Sequence, residues 1–348
     1  MRILLGNNTL SILAGSETWT VTLARHLKKL GHDVTCYSPR LGFVSDTLES
    51  EGIACVGSLP ASGIRPFSIV LEPDFDARFD VIIANHHDIV TELRARFPDT
   101  MIVSTIHGVQ HLMDGPRGEK VPAPEHPAIG KADVFVSVSE EIQAKLMSDY
   151  GQDSLIVRNF FDIPHFKTKR VATPGKPKAI LFNTNYATKD DQETKIMAAV
   201  ARHFGARLLA VGANFVAAKD IRVALEDSDV VVGMGRSALE GACAERLVIV
   251  HGRWGTGGAL NAGNMPKLRA CNFSGRDSGG DFFTVERLIQ EIEDNYNPET
   301  IAWGHEHVLR EHNVELAAQQ YMAFAGASRV PSEAAIPKLK FQSGKPLL

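Results

Sequence analysis

The chain has 348 residues, more than one hydrophobic core usually supports, so two domains of ordinary size are expected. An apolar share of 44% beside 22% charged residues excludes global disorder and fibrous architectures. The formal net charge of -4 speaks against a nucleic-acid binder held mainly by electrostatics, and no apolar run nears the ~20 residues that span a bilayer.

The N-terminus runs directly into a strand over residues 3–5 with no signal-peptide layout, which predicts a cytoplasmic protein; contact with the inner face of a membrane stays open. A polar loop over 7–16 leads to a helix at about 17–30. Its inward face carries Val21, Leu23, Ala24, Leu27 and Leu30, and Gly31 is placed to cap it. Further strands are expected at 34–37, 53–56, 80–84, 101–105, 134–138 and 155–157. This strand-then-helix rhythm favours parallel sheets covered on both faces. Ser139 is the expected N-cap of a helix over 140–149, with Glu140 and Glu141 in its first turn and Gly151 at its end.

Residues 167–178, KTKRVATPGKPK, nearly lose apolar content and mark a domain boundary. A second αβ series follows, with strands at 179–182, 207–211, 230–232 and 247–250, and helices at 190–204 and near 283–293. One or two helices are expected over 303–324, then a loosely held tail beyond Pro331. Cys36, Cys55, Cys243 and Cys271 lie in or beside apolar runs without a zinc-like pattern, so reduced thiols are expected.

Residues 229–258, DVVVGMGRSALEGACAERLVIVHGRWGTGG, form the densest cluster of functional signals. Gly233 and Gly235 let the backbone turn where a strand ends. The helix opening near Ser237 then offers unpaired N–H groups and the positive end of its dipole to an anion, with Arg236 at the mouth. Glu240 is a lone carboxylate on a small-residue helix, suited to a hydroxyl pair on a sugar or ribose; the alternative is a solvated surface residue. Trp254 fits either a ligand cover or an edge-packed aromatic.

In the first half, Gly15, Ser16 and Glu17 open a helix after a strand, where a substrate can approach, although a plain loop and N-cap explains them as well. The loop lacks GxGxxG, which argues against a dinucleotide enzyme. His86 and His87 follow one expected strand and His107 another, the positions where ligands sit in open α/β sheets. His107, in STIHG, is the preferred reactive residue because imidazole suits proton handling near neutral pH; a histidine satisfied by backbone groups is the alternative. His86, His87, His107 and His111 share no metal-binding spacing, so no metal is expected. Arg158 and Asn159, beside FFDIPHF, read mainly as an interdomain cover.

The ordered series AGSETWTVTLARHLKKLGHDVTCYSP, STIHG, VSVSEEIQAKL, IVRNFFDIPHF and GMGRSALEGACAERLVIVHGRWGTGG resembles nucleotide-sugar-dependent glycosyltransferases of the GT-B fold, the retaining group of bacterial glycan-building enzymes. The resemblance runs over about 2–325 and is weak at 40–80 and 260–300. It implies an α/β architecture of two facing Rossmann-like domains: an acceptor-side domain over 1–168, a linker over 169–178 and a donor-binding domain over 179–302. A helical return over 303–330 and a tail over 331–348 follow, with a hinge near 167–178. It implies no cofactor and no metal, a nucleoside-diphosphate sugar as donor, and a glycan, lipid-linked sugar or small metabolite as acceptor. Donor contacts would come from Gly15, Lys189, Gly235, Arg236, Ser237, Glu240, Gly257 and Gly258, the last two as a backbone cradle. Acceptor contacts would come from Ser16, Glu17, His86, His87 and His107, and the catalytic group would be His107, Lys189 and Arg236.

The chain departs from the family at several points. Arg158 replaces the usual proline and Phe160 the usual glycine of the 156–166 region. Thr184 stands at the family's phosphate-clamping arginine and Val232 at the first of its paired glutamates, while Lys189 keeps the matching offset. A sugar-nucleotide epimerase or hydrolase, and a noncatalytic sugar-nucleotide-binding protein, are the competing readings.

Overall fold

A computed structural model describes residues 1–57, 78–112, 128–215, 220–276 and 279–327. The tail expected beyond Pro331 and the side chain of His111 lie outside the described residues.

The first sheet has seven parallel strands: β1 (Arg2–Gly6), β2 (Asp33–Tyr37), β3 (Ala54–Val56), β4 (Val81–Asn85), β5 (Ile102–Ile106), β6 (Val134–Ser137) and β7 (Leu155–Ile156), in the order β3-β2-β1-β4-β5-β6-β7. Every residue of β4 and β5 is buried, as expected of central parallel strands with helices on both faces. One face packs on α1 (Gly15–Lys29) and α2 (Phe43–Ser50), the other on α3 (His87–Arg96) and α4 (Glu140–Tyr150). Gly151 closes α4 in the left-handed conformation with φ 63°, as its position predicts. Ser139 does occupy the N-cap, but its hydroxyl makes no capping bond and is buried without a hydrogen-bond partner among the described residues.

The second sheet holds β8 (Ala179–Asn183), β9 (Arg207–Val211), β10 (Val230–Gly233), β11 (Leu247–Gly252) and β12 (Gly255–Ala259), in the order β12-β11-β10-β8-β9. Only β12 runs antiparallel. The helices α6 (Gln192–Phe204) and α10 (Val285–Asn295) cover one face. The other is covered by α8 (Arg236–Cys243), α9 (Met265–Ala270) and α11 (Pro298–Glu311), with the short α5 (Ile163–Phe166) and α7 (Ile221–Glu226) packed at its margin. Gly241 brings α8 close to β10, because a Cβ there would stand 2.9 Å from Val231 Cβ.

The stretch 303–324 resolves into α11 and α12 (Val314–Ala327). Val314, Ala317, Ala318, Tyr321 and Ala325 of α12 join the core beneath the first sheet. Two chain crossings therefore connect the halves, and they touch. Phe161 N donates to His312 O at 2.8 Å and Val314 N to Phe161 O at 3.0 Å. His312 Nδ1 lies 2.7 Å from Asn159 O beside them. Phe160 sits in the first domain's core and Phe161 in the second's, so FFDIPHF is an interdomain cover.

The segment 167–178, where a hinge is expected, is pinned to the second domain. Buried Asp229 accepts from the backbone of Thr173, Lys178 and Ala179 and from Arg170 Nη2. Arg246 holds the same segment through Thr168 Oγ1 and Arg170 O. Movement within 167–178 would have to break this set.

Candidate functional site

In open α/β sheets ligands gather beyond the carboxyl ends of the strands, where the strand order reverses. That point lies between β1 and β4 in the first sheet and between β8 and β10 in the second. The residues there are Asn7, Asn85 and His86 on one side, and Asn183, Thr184 and Gly233 on the other. Gly233 is needed for packing: a Cβ would lie 3.0 Å from Ser237 Cβ and 3.1 Å from Asn183 O.

At the second point Gly235 is the N-cap of α8, with φ 57°, and Arg236 is its first residue. The guanidinium carbon of Arg236 is 4.3 Å from the Phe161 ring centroid, and Nη1 reaches Phe160 O at 3.4 Å. Its Nε is 3.5 Å from Glu240 Oε1, so the one carboxylate of α8 pairs with the arginine a turn before it. Arg236 Nη2 is buried with no hydrogen-bond partner among the described residues. A buried cationic donor left unmet beside a helix N-terminus is an arrangement that an anion satisfies. Burial pulls the Arg236 guanidinium down, against the pull of Glu240. Burial likewise pushes the Glu240 carboxyl up, and Arg236 opposes that. A Cβ on Gly15 would lie 3.9 Å from Arg236 Cδ, so the start of α1 faces the start of α8 across the domain boundary.

The first domain contributes a second cluster. His107, directly after β5, pairs through Nε2 with Asn85 Oδ1 at 2.9 Å and meets Trp19 edge-on at 5.4 Å. Trp19 also packs against Phe160 and Tyr321, joining this cluster to the crossing segment and to α12. His86 holds a left-handed φ of 67°, rare for a residue with a side chain and often associated with functional sites. Burial, then His87, lowers its imidazole to about 4, so it is neutral at physiological pH.

Other expected site residues have different settings. Glu17 is buried as the third residue of α1, accepting from Ala14 N at 3.1 Å and from Ser16 Oγ at 3.1 Å, which is a helix-capping role. Lys189 is exposed in the turn before α6 and makes no hydrogen bond or ion pair among the described residues. Thr184 braces the same loop by accepting from Tyr186 N and Ala187 N. Gly257 and Gly258 lie in β12 rather than in a glycine loop. A Cβ on Gly257 would stand 2.3 Å from Leu268 Cδ2, and Gly258 holds a positive φ of 80°, so packing calls for the first glycine and backbone conformation for the second. Trp254 is partly exposed, with Arg253 stacked between its ring and that of Tyr186.

Sequence reasoning missed the charge pairs that tie the domains together. Arg276 grips Glu141 at 2.8 and 2.6 Å. Arg269 lies 3.9 Å from Glu140 and Arg158 3.8 Å from Glu311, joining the Arg158–Glu140 pair of the first domain to the Arg269–Glu311 pair of the second. The acidic first turn of α4 was the available signal, read there only as a complement to the dipole.

Among the described residues no group of three metal-binding side chains is assembled, and no helix is long and apolar enough to cross a membrane. The cysteines stand as free thiols.

Residues 13–163 match the family model described as Glycosyltransferase Family 4. A comparison with curated proteins finds no match. Among solved structures, Anabaena HepE in complex with UDP-glucose superposes with a TM-score of 0.63 at 15% identity, covering 94% of this chain and 100% of that one. Sucrose-phosphate synthase from Thermosynechococcus elongatus gives 0.60 at 12% identity over 94% and 99%. A putative UDP-N-acetylglucosamine 2-epimerase from Listeria monocytogenes gives 0.58 at 14% identity over 94% and 96%. The two parallel sheets, the return of α12 and these superpositions establish the GT-B fold for this chain, with a Glycosyltransferase Family 4 match across most of its first domain.

Proposed function

We propose that the protein is a glycosyltransferase that moves a sugar from a nucleoside diphosphate to a hydroxyl of a glycan, a lipid-linked sugar or a small metabolite. The observation that carries this reading is the buried, unmet Nη2 of Arg236 at the N-terminus of α8, where the two domains meet. It is the setting a diphosphate requires. The family match over 13–163 and the nucleotide-sugar complexes among the superposed structures support it.

In this reading residues 1–168 form the acceptor side and residues 179–302 the donor side. Arg236, Ser237 and the N–H groups of α8 bind the diphosphate, Lys189 swings in from its exposed turn, and Glu240 meets the ribose. Transfer goes with retention, without a metal. The acceptor oxygen bonds to the anomeric carbon as the bond from that carbon to the diphosphate oxygen breaks, and the acceptor proton passes to the departing phosphate oxygen. His107 orients the reacting groups and eases the proton's movement.

Mass-spectrometric screening of UDP-, GDP-, ADP- and TDP-sugars against pooled acceptors tests the proposal. Sugar-bearing product and stoichiometric nucleoside diphosphate are expected. Donor conversion that needs no acceptor would replace this reading with an epimerase or hydrolase, a possibility raised by the epimerase superposition. Tight donor binding with no turnover would point to a noncatalytic binder, in keeping with Thr184 and Val232 at their positions.

A further inference from the structure

The polar network behind His107 orders its donors and acceptors through a buried threonine. Thr20, on α1, commits its single hydroxyl proton to the carbonyl of Ser16 at 2.9 Å. Toward every other neighbour it can only accept. Both side-chain amides that meet it must therefore present their NH2 groups: Asn7 Nδ2 at 3.2 Å and Asn85 Nδ2 at 3.3 Å. The orientation of Asn7 has an independent check, since Asn8 N donates to its Oδ1 at 2.8 Å. With Nδ2 of Asn85 turned to Thr20, its Oδ1 faces His107, and Nε2 at 2.9 Å must carry a hydrogen.

Asn7, Thr20 and Asn85 are all buried, so bulk water does not compete for these bonds. The Trp19 ring, edge-on to His107, limits rotation of the imidazole. We infer that Asn85 is a positioning residue that holds His107 as the Nε2–H tautomer and confines proton uptake and release to Nδ1. In the neutral ring Nδ1 accepts a hydrogen bond from a hydroxyl. When that hydroxyl's proton passes through Nδ1 on its way to the departing phosphate oxygen, the transient imidazolium keeps its Nε2–H bond to Asn85, whose amide neither gains nor loses a proton, and the neutral ring is restored. The use of this tautomer rests on the proposed role of His107 in transfer. The tautomer itself does not.

Nitrogen NMR of the histidine rings near neutral pH, with His107 assigned from the spectrum of His107→Gln, separates the two claims. A single Nε2–H species is expected for His107. An Nδ1–H species, or a mixture of both, overturns the inference whatever the protein catalyses. Asn85→Asp keeps an acceptor in place and should keep the single tautomer. Asn85→Leu removes the acceptor, and Thr20→Val frees the amide to turn. Each should broaden or mix the tautomers, with the Thr20→Val spectrum deciding if the leucine variant does not fold. In a transfer assay Asn85→Leu should lower kcat by about 10- to 100-fold, within what a positioned proton-transfer group supplies, while KM for donor stays nearly constant. Asn85→Asp should recover much of that loss. A wild-type kcat in Asn85→Leu would show that Asn85 does not act through His107. Absence of transfer in the wild type beside a clean Nε2–H spectrum would instead count against the proposed function alone.

Discussion

Arg236 lies over the ring of Phe161, its guanidinium carbon 4.3 Å from the centroid, and so the side chain that opens α8 rests on the segment joining the two domains. The stack holds the guanidinium in one plane, and Nη2 meets no hydrogen-bond acceptor among the described residues. Hydrogen bonds involving a charged group contribute about 1.5–3 kcal/mol, so Arg236→Ala should weaken nucleoside-diphosphate binding by about 10- to 100-fold. Arg236→Lys keeps the charge but loses the planar stack, and should fall between the two. Calorimetric titration with UDP, GDP, ADP and TDP checks this. Affinities equal to wild type for all four would remove Arg236 from the diphosphate site.

His107 stands on the acceptor side of the same boundary, between Asn85 and Trp19. If it assists the proton's movement, His107→Ala should slow transfer by about 10²- to 10⁴-fold while the fold survives. Initial rates on verified folded protein measure it. Unchanged donor turnover and acceptor transfer would exclude a catalytic role.

His251 gives the protein a sensitivity to acid. The ring is buried among Phe182, Phe282 and Phe283, neither nitrogen has a hydrogen-bond partner among the described residues, and burial lowers it to about 4. In the unfolded chain it protonates near its ordinary value of about 6.5. Between these values the unfolded state holds more protons, so stability should fall as pH drops from about 6.5 to about 4, by on the order of 3 kcal/mol for this residue. His312 and His86, also lowered to about 4 chiefly by burial, act in the same direction. Urea unfolding of wild type and His251→Phe at pH 7 and pH 5 separates the contribution of His251. Equal losses in the two proteins would contradict it.

Asp229 is the anchor of the linker. Burial pushes its carboxyl up, but the N–H groups of Thr173 and Lys178, the Thr173 hydroxyl and the Arg170 guanidinium together hold it below its ordinary value. Its stabilising effect is complete above about pH 4, the unfolded carboxyl's range, and is lost as pH falls through the lower folded value. Asp229→Ala strands Arg170 and several backbone donors, so it should cost about 3–5 kcal/mol at neutral pH. Chemical denaturation reads this directly, and a loss below about 1 kcal/mol would mean that water replaces the carboxylate.

Much of the fold could be read from the chain because its central strands are buried on both faces. Runs such as VIIAN and DVVVG carry that burial in consecutive residues, without help from distant contacts. The antiparallel β12 escaped because GTGGA has almost no side chains to show a period. Helix α3, HDIVTELRAR, was hidden because only Ile89, Val90 and Leu93 are buried in a mostly charged sequence. At the candidate site, Arg236 at the mouth of α8 followed from local glycine chemistry. Its contact with Phe161 depends on how two domains meet, which no window of sequence contains. The same holds for the pairing of Arg276 with Glu141.

The hydrogen bonds between Phe161 and the 312–314 segment leave the two crossings one shared pivot. Two separate tethers would let the lobes slide or shear. A laced pair resists those displacements and yields most readily to a twist about its own line. An insertion in either crossing would shift both out of register at once, and the mouth between Gly15 and Arg236, set by that alignment, would shift with them.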